Sequence, residues 1–67
     1  MEIDLKHWLI IELLRADGRY KEYSNEELVA FIDDALSTGQ HVTGAQQDVH
    51  GAVTRLKHLE KWRPEWN

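Results

Sequence analysis

With 67 residues the chain is long enough for one domain with a thin core and too short for two. It has no cysteine, which excludes disulfides and thiolate metal sites and makes a reducing cytoplasm the expected compartment. The net charge is −4 and is unevenly spread, because residues 1–43 are acidic and residues 44–63 hold four bases against two acids. This asymmetry favours a polar protein partner, or a second copy of the chain, over a broad nucleic-acid surface.

The first predicted element is a helix over residues 5–16 that is apolar on nearly all sides. Asp4 is its expected N-cap, and Gly18 is expected to supply a left-handed ending. A helix that is apolar all round requires burial all round, and two short neighbours cover only part of it. We therefore expect a homodimer through its second face, which consists of Leu5, Trp8, Leu9 and Leu13. The alternative is that the tail from Trp62 to Trp66 folds back over this face.

The second predicted helix covers residues 25–37. Ser24 and Glu27 have the spacing of a capping box, and Gly39 ends the helix. At 100° per residue one side of this helix is apolar, and it contains Leu28, Phe31, Ile32, Ala35 and Leu36, with Val29 at the edge. The other side is an acidic face formed by Glu26, Glu27, Asp33 and Asp34.

The third predicted helix covers residues 44–62. Thr43 and Gln46 repeat the capping-box spacing, and Pro64 is expected to end the helix. Its apolar residues follow the 4-3-4-3 spacing of a coiled-coil seam, namely Ala45, Val49, Ala52, Leu56 and Leu59. Gly51 in mid-helix costs about 1 kcal/mol relative to alanine. We interpret this glycine as a site of close approach, either by another helix of the chain or by the backbone of a partner.

The polar side of the third helix and the aromatic tail are the predicted partner-binding surface. Tryptophan and arginine are the residue types that most often dominate the energy of protein interfaces. The predicted contact residues are Gln47, His50, Thr54, Arg55, Lys57, Lys61, Trp62 and Trp66.

Catalytic patterns are absent from the sequence. Asp33 and Asp34 are adjacent, so their side chains diverge on a helix and cannot act as a pair. His50 and His58 share a side but stand about 12 Å apart along the axis, too far to bind one ion. We therefore predict no enzyme, no cofactor and no metal, and no membrane association. The predicted protein is an all-α, compact three-helix domain that acts as a non-enzymatic regulatory or inhibitor-like module, occluding or adapting a partner protein.

A DNA-binding regulator is the alternative function. The run Val49-His50-Gly51-Ala52-Val53-Thr54-Arg55-Leu56 resembles the end of the recognition helix in winged-helix proteins. The resemblance covers residues 25–60 and implies a helix-turn-helix whose groove-facing residues are Gln46, Gln47, His50, Thr54 and Arg55. Against it, the turn over residues 37–42 is long, no strand pair for a wing follows, and the acidic second helix repels phosphate. A protein partner is therefore the primary prediction.

Overall fold

The computed structural model describes residues 2–66 and consists of three α-helices followed by a short 3₁₀ turn. The helices are α1 (Leu5–Ala16), α2 (Asn25–Thr38) and α3 (Gly44–His58), and the turn is Pro64–Trp66. Residues 2–66 contain no strand. The predicted class, an all-helical domain of three helices, is confirmed.

The start of α2 and the C-terminal ends of α1 and α2 form as predicted. The side chain of Ser24 accepts a hydrogen bond from the backbone N–H of Glu27 at 3.1 Å, and the Glu27 carboxylate accepts one from the Ser24 N–H, also at 3.1 Å. Gly39 follows α2 with φ +66°, and Gly18 follows α1 with φ +85°. Both values lie in the left-handed region that glycine adopts without a steric penalty. By contrast, Asp4 precedes α1 without a side-chain capping bond.

Helix α3 begins as predicted but ends four residues early, so the predicted range 44–62 is wrong. The cause is Glu60, which adopts φ +59° and turns the chain before Pro64 is reached. The N–H of Lys61 then donates to the carbonyl of Leu56 at 2.9 Å, the long bond of a Schellman ending. Leu59 consequently lies beyond the last turn of α3 and is 57% exposed. Its predicted place in the core is also wrong.

One cluster of apolar side chains from all three helices forms the core. It contains Ile10, Ile11 and Leu14 of α1, Leu28, Val29, Ile32 and Ala35 of α2, and Val49, Ala52, Val53 and Leu56 of α3, together with Tyr20. The predicted apolar side of α2 is thus confirmed, and Phe31 and Leu36 pack against the cluster at its edge.

Helices α1 and α3 run in opposite directions along one side of the molecule. Leu5 and Leu9, early in α1, lie beside residues 60–64, which follow α3. Leu13, later in α1, lies beside the first half of α3 around Gly51. The whole length of α1 therefore borders α3 or the tail that follows it. Among the described helices, none has both the length and the apolarity that crossing a membrane requires.

Candidate interaction surface

The second face of α1 is only partly covered by the rest of the chain. Leu5 is 52% exposed and Trp8 is 43% exposed, while Leu9 and Leu13 are half-buried. These are the four residues predicted to form a dimer interface. Two grooves open along the side where α1 borders α3 and the tail, and together with the exposed leucines they form what we name the α1–α3 face.

The first of these, which we name the tail groove, lies where the chain after α3 passes the start of α1. It has a volume of about 460 Å³ and is lined by Leu5, Leu9, Glu60, Lys61, Trp62, Arg63 and Pro64. Trp62 is half-buried against the core, and its ring meets that of Trp66 edge-on at 5.2 Å between centroids. The tail thus lies beside α1, as the alternative to dimerisation required, yet more than half of Leu5 stays accessible.

The second, which we name the Gly51 groove, lies between the end of α1 and the first half of α3. Its volume is about 410 Å³, and its lining residues are Leu13, Leu14, Ala16, Asp17, Arg19, Gln47, Asp48, Gly51, Ala52 and Arg55. A Cβ atom placed on Gly51 would meet nothing within 4 Å. The close helix crossing expected at Gly51 therefore does not occur within the chain, and the glycine leaves its backbone open to the groove.

Charged side chains close one end of the Gly51 groove. The guanidinium of Arg19 donates to Asp17 and, at 3.0 Å, to Asp48 of α3. These bonds, first to Asp17 and then to Asp48, raise the pKa of Arg19 above its ordinary value. The hydroxyl of Tyr20 also donates to Asp48. Burial, with this hydrogen bond, raises the pKa of Tyr20 to about 12. The loop after α1 is thereby tied to α3.

The structure places four of the predicted partner-binding residues on the α1–α3 face. Gln47 and Arg55 line the Gly51 groove, and Lys61 and Trp62 line the tail groove. They share this face with the three leucines predicted for dimerisation. The two predicted surfaces therefore overlap in part on one face, a result that depends on the antiparallel placement of α1 and α3.

The other predicted contact residues on α3 do not join this face. His50 is directed at α2, where its Nε2 lies 3.0 Å from the carbonyl oxygen of Ala35, and its ring stacks on that of His41 at 3.9 Å between centroids. The hydroxyl of Thr54 donates to the carbonyl of His50, and Lys57 is exposed without lining either groove. Trp66 packs on Trp62 at the outer side of the tail.

Most of the predicted acidic face of α2 serves the fold. Glu27 caps its own helix, Asp34 accepts a hydrogen bond from Gln46 at 3.1 Å, and Asp33 lies 2.8 Å from Nε2 of His7. Of these four carboxylates, Glu26 alone has no such partner among residues 2–66. The acidic face is therefore a set of helix-to-helix and capping contacts more than a free docking surface.

The burial of two polar residues was not predicted from the sequence. His7 is 8% exposed, and its Nδ1 has no hydrogen-bond partner among the described residues. Its spacing from Ile10, Ile11 and Leu14 places it on the core side of α1, a signal that was available in the sequence. Gln46 is 7% exposed because its side chain closes the α3 cap and reaches Asp34, so it cannot be a groove-facing contact for DNA.

Comparisons with protein-family models, with characterised proteins and with solved structures find no match to this chain. Residues 2–66 contain no group of three or more histidine and carboxylate side chains placed to hold a metal ion. The chemistry available on the α1–α3 face is therefore that of leucine, tryptophan, glycine and a few charged side chains. Such a surface suits binding.

Proposed function

We propose that this chain is a small non-enzymatic interaction module, which binds a partner protein through the α1–α3 face and thereby occludes or adapts that partner. The observation that carries the proposal is the exposed second face of α1, where Leu5, Leu9 and Leu13 border two grooves. An apolar surface with a tryptophan and a few arginines is the composition that protein interfaces favour at their centres.

Homodimerisation through α1 is proposed alongside this function, which does not depend on it. A domain of this size buries only about 60% of the surface that its unfolded chain exposes, so its stability is small. Covering Leu5 and Trp8 by a second copy would remove apolar surface from water at about 25 cal/mol per Å². Such a contact would stabilise both copies together and link the folded state to the concentration of the protein.

The test compares two matched substitutions of exposed apolar residues. Leu5→Asp changes the α1–α3 face, whereas Val42→Asp makes a similar change in the loop before α3, where the side chain is 77% exposed and lines neither groove. We expect affinity capture from the native host to lose its specific partners with Leu5→Asp and to keep them with Val42→Asp. Equal capture by both variants would overturn the assignment of the binding face.

Duplex DNA is the second candidate partner, since Gln47 and Arg55 of α3 are exposed in the Gly51 groove. The measurement is the mobility of labelled duplex DNA at several salt concentrations, with Arg55→Ala combined with Gln47→Ala as the comparison. A salt-dependent shift in DNA mobility that this double variant abolishes would show that the partner is DNA and not a protein. We expect no shift, because the chain has a net charge of −4 and Asp48 lies next to Gln47 and lines the same groove.

A further inference from the structure

The Gly51 groove carries opposite charge at its two ends. At one end Asp17 and Asp48 share a single guanidinium, that of Arg19, which leaves one negative charge uncompensated. Near the other end Arg55 is exposed and forms no ion pair with any residue between 2 and 66. Gly51 lies between them with an open backbone. The groove is therefore acidic at one end and basic at the other. Between these ends, α3 has no side chain at residue 51 to fill the groove.

Helical geometry places the two charges on the same side of α3. Asp48 and Arg55 are seven residues apart, so their side chains point in directions about 20° apart and lie about 10 Å apart along the axis. Gly51 falls within about one turn of each. All three residues line the groove. Along this side α3 presents an acid, a glycine and a base in a row.

A row of this kind is complementary to itself after rotation by half a turn. A two-fold axis beside Gly51 makes the two α3 helices antiparallel, and it brings Arg55 of each copy next to Asp48 of the other. The two-fold rotation thus generates two equivalent charge pairs between the copies. The absence of a side chain at residue 51 lets the two helix backbones come close between those pairs.

We infer that the occupant of the Gly51 groove is a second copy of this chain, docked about this two-fold axis. The inference rests on the proposed interaction function, and it adds the groove at which a second copy docks and the register of contact. Leu13, from the second face of α1, lines the same groove and supplies apolar contact beside the charge pairs.

Charge distinguishes a second copy from other occupants. A nucleic acid or a peptide of uniform charge would be attracted at one end of the groove and repelled at the other. Another protein would need an acid and a base at a matching spacing. A second copy supplies both by symmetry, at the same spacing of about 10 Å.

The test measures association of the full chain by analytical ultracentrifugation. Arg55→Glu and Asp48→Lys are examined separately and as an equimolar mixture. Each variant alone turns two attractions into two repulsions, so we expect its dimer to be weaker than the unsubstituted dimer by roughly ten- to a hundredfold. In the mixed dimer both contacts are attractive again. We therefore expect the mixture to form a dimer close in affinity to the original.

Two further variants control for effects on folding. Lys57→Glu makes the same change of charge on the same helix but outside both grooves, and we expect it to leave the dimer unchanged. Gly51→Gln adds a long side chain where the single chain has free space, so we expect helicity to be kept and the dimer to be lost.

The outcomes separate this inference from the function on which it rests. A mixture that associates no better than its two components would overturn the two-fold register. An unsubstituted chain that stays monomeric at millimolar concentration would overturn the second copy as occupant. If that monomer still captures a different protein, and Leu5→Asp abolishes the capture, the interaction function stands without the dimer.

Discussion

The two sides of α3 differ in how completely they are satisfied within the chain. Towards α2, polar contacts close the interface, since Gln46 binds Asp34 and Nε2 of His50 lies within hydrogen-bond distance of the carbonyl of Ala35. Towards α1, the interface is closed by polar contacts at one end only, and elsewhere it opens into two grooves bordered by half-exposed leucines. The difference shows that the side of α3 towards α2 is satisfied within the chain and that the side towards α1 is open, and the open side is the one proposed to bind another molecule.

Truncation of one leucine on each side of α3 is expected to give the largest effect. Leu28 of α2 is fully buried, and we expect Leu28→Ala to cost about 3 kcal/mol, which is most of the stability of so small a domain. Leu5→Ala on the α1–α3 face should cost less than about 1 kcal/mol, because half of that side chain is already in water. Urea unfolding at a protein concentration too low for association measures both. Equal losses would contradict the distinction between the two sides.

The next largest effect is expected where α2 meets the start of α3. Gln46→Ala removes the side-chain half of the α3 capping box and the bond to Asp34, and it should lower the free energy of unfolding by about 1–2 kcal/mol. Gln47→Ala is the matched control. Its amide donates only to the exposed carbonyl of His41, so a loss below about 0.5 kcal/mol is expected. A control that is as costly as the test variant would show that the buried position of Gln46 is unimportant.

At the end of α3 we expect a smaller effect, which is a gain in the free energy of unfolding. Glu60 adopts a left-handed conformation that costs an ordinary residue about 1 kcal/mol and glycine almost nothing. Glu60→Gly should therefore raise the free energy of unfolding by up to about 1 kcal/mol and leave the tail beside α1. Glu60→Ala keeps the Cβ atom and should give no such gain. Thermal unfolding of the two variants side by side decides the matter.

The sequence predicts the helices well and the α1–α3 face poorly, for a physical reason. Ser24 and Thr43 specify helix starts through contacts within three residues, so their effect is visible locally. Glu60 ends α3 in a conformation usually taken by glycine, and the residues next to it carry no sequence signal for a helix end at this position. The openness around Gly51 depends on where α1 lies relative to α3. That placement is set by the packing of the whole core, which no local pattern specifies.

Tyr20 offers the most detailed test of the polar contacts that join the loop after α1 to Asp48 of α3. Its hydroxyl donates to Asp48, which Arg19 also binds, so Tyr20→Phe should cost only about 0.5–1 kcal/mol at neutral pH. The pH dependence is more specific. Because the pKa of Tyr20 is raised from 10.0 to about 12 in the folded chain, its contribution to stability is complete below pH 10 and is lost as the pH rises towards 12. Tyr20→Phe should therefore remove this alkaline loss. Identical alkaline unfolding curves for the two proteins would mean that the Tyr20 hydroxyl does not hold the loop to α3, and that Arg19 alone joins the loop to Asp48.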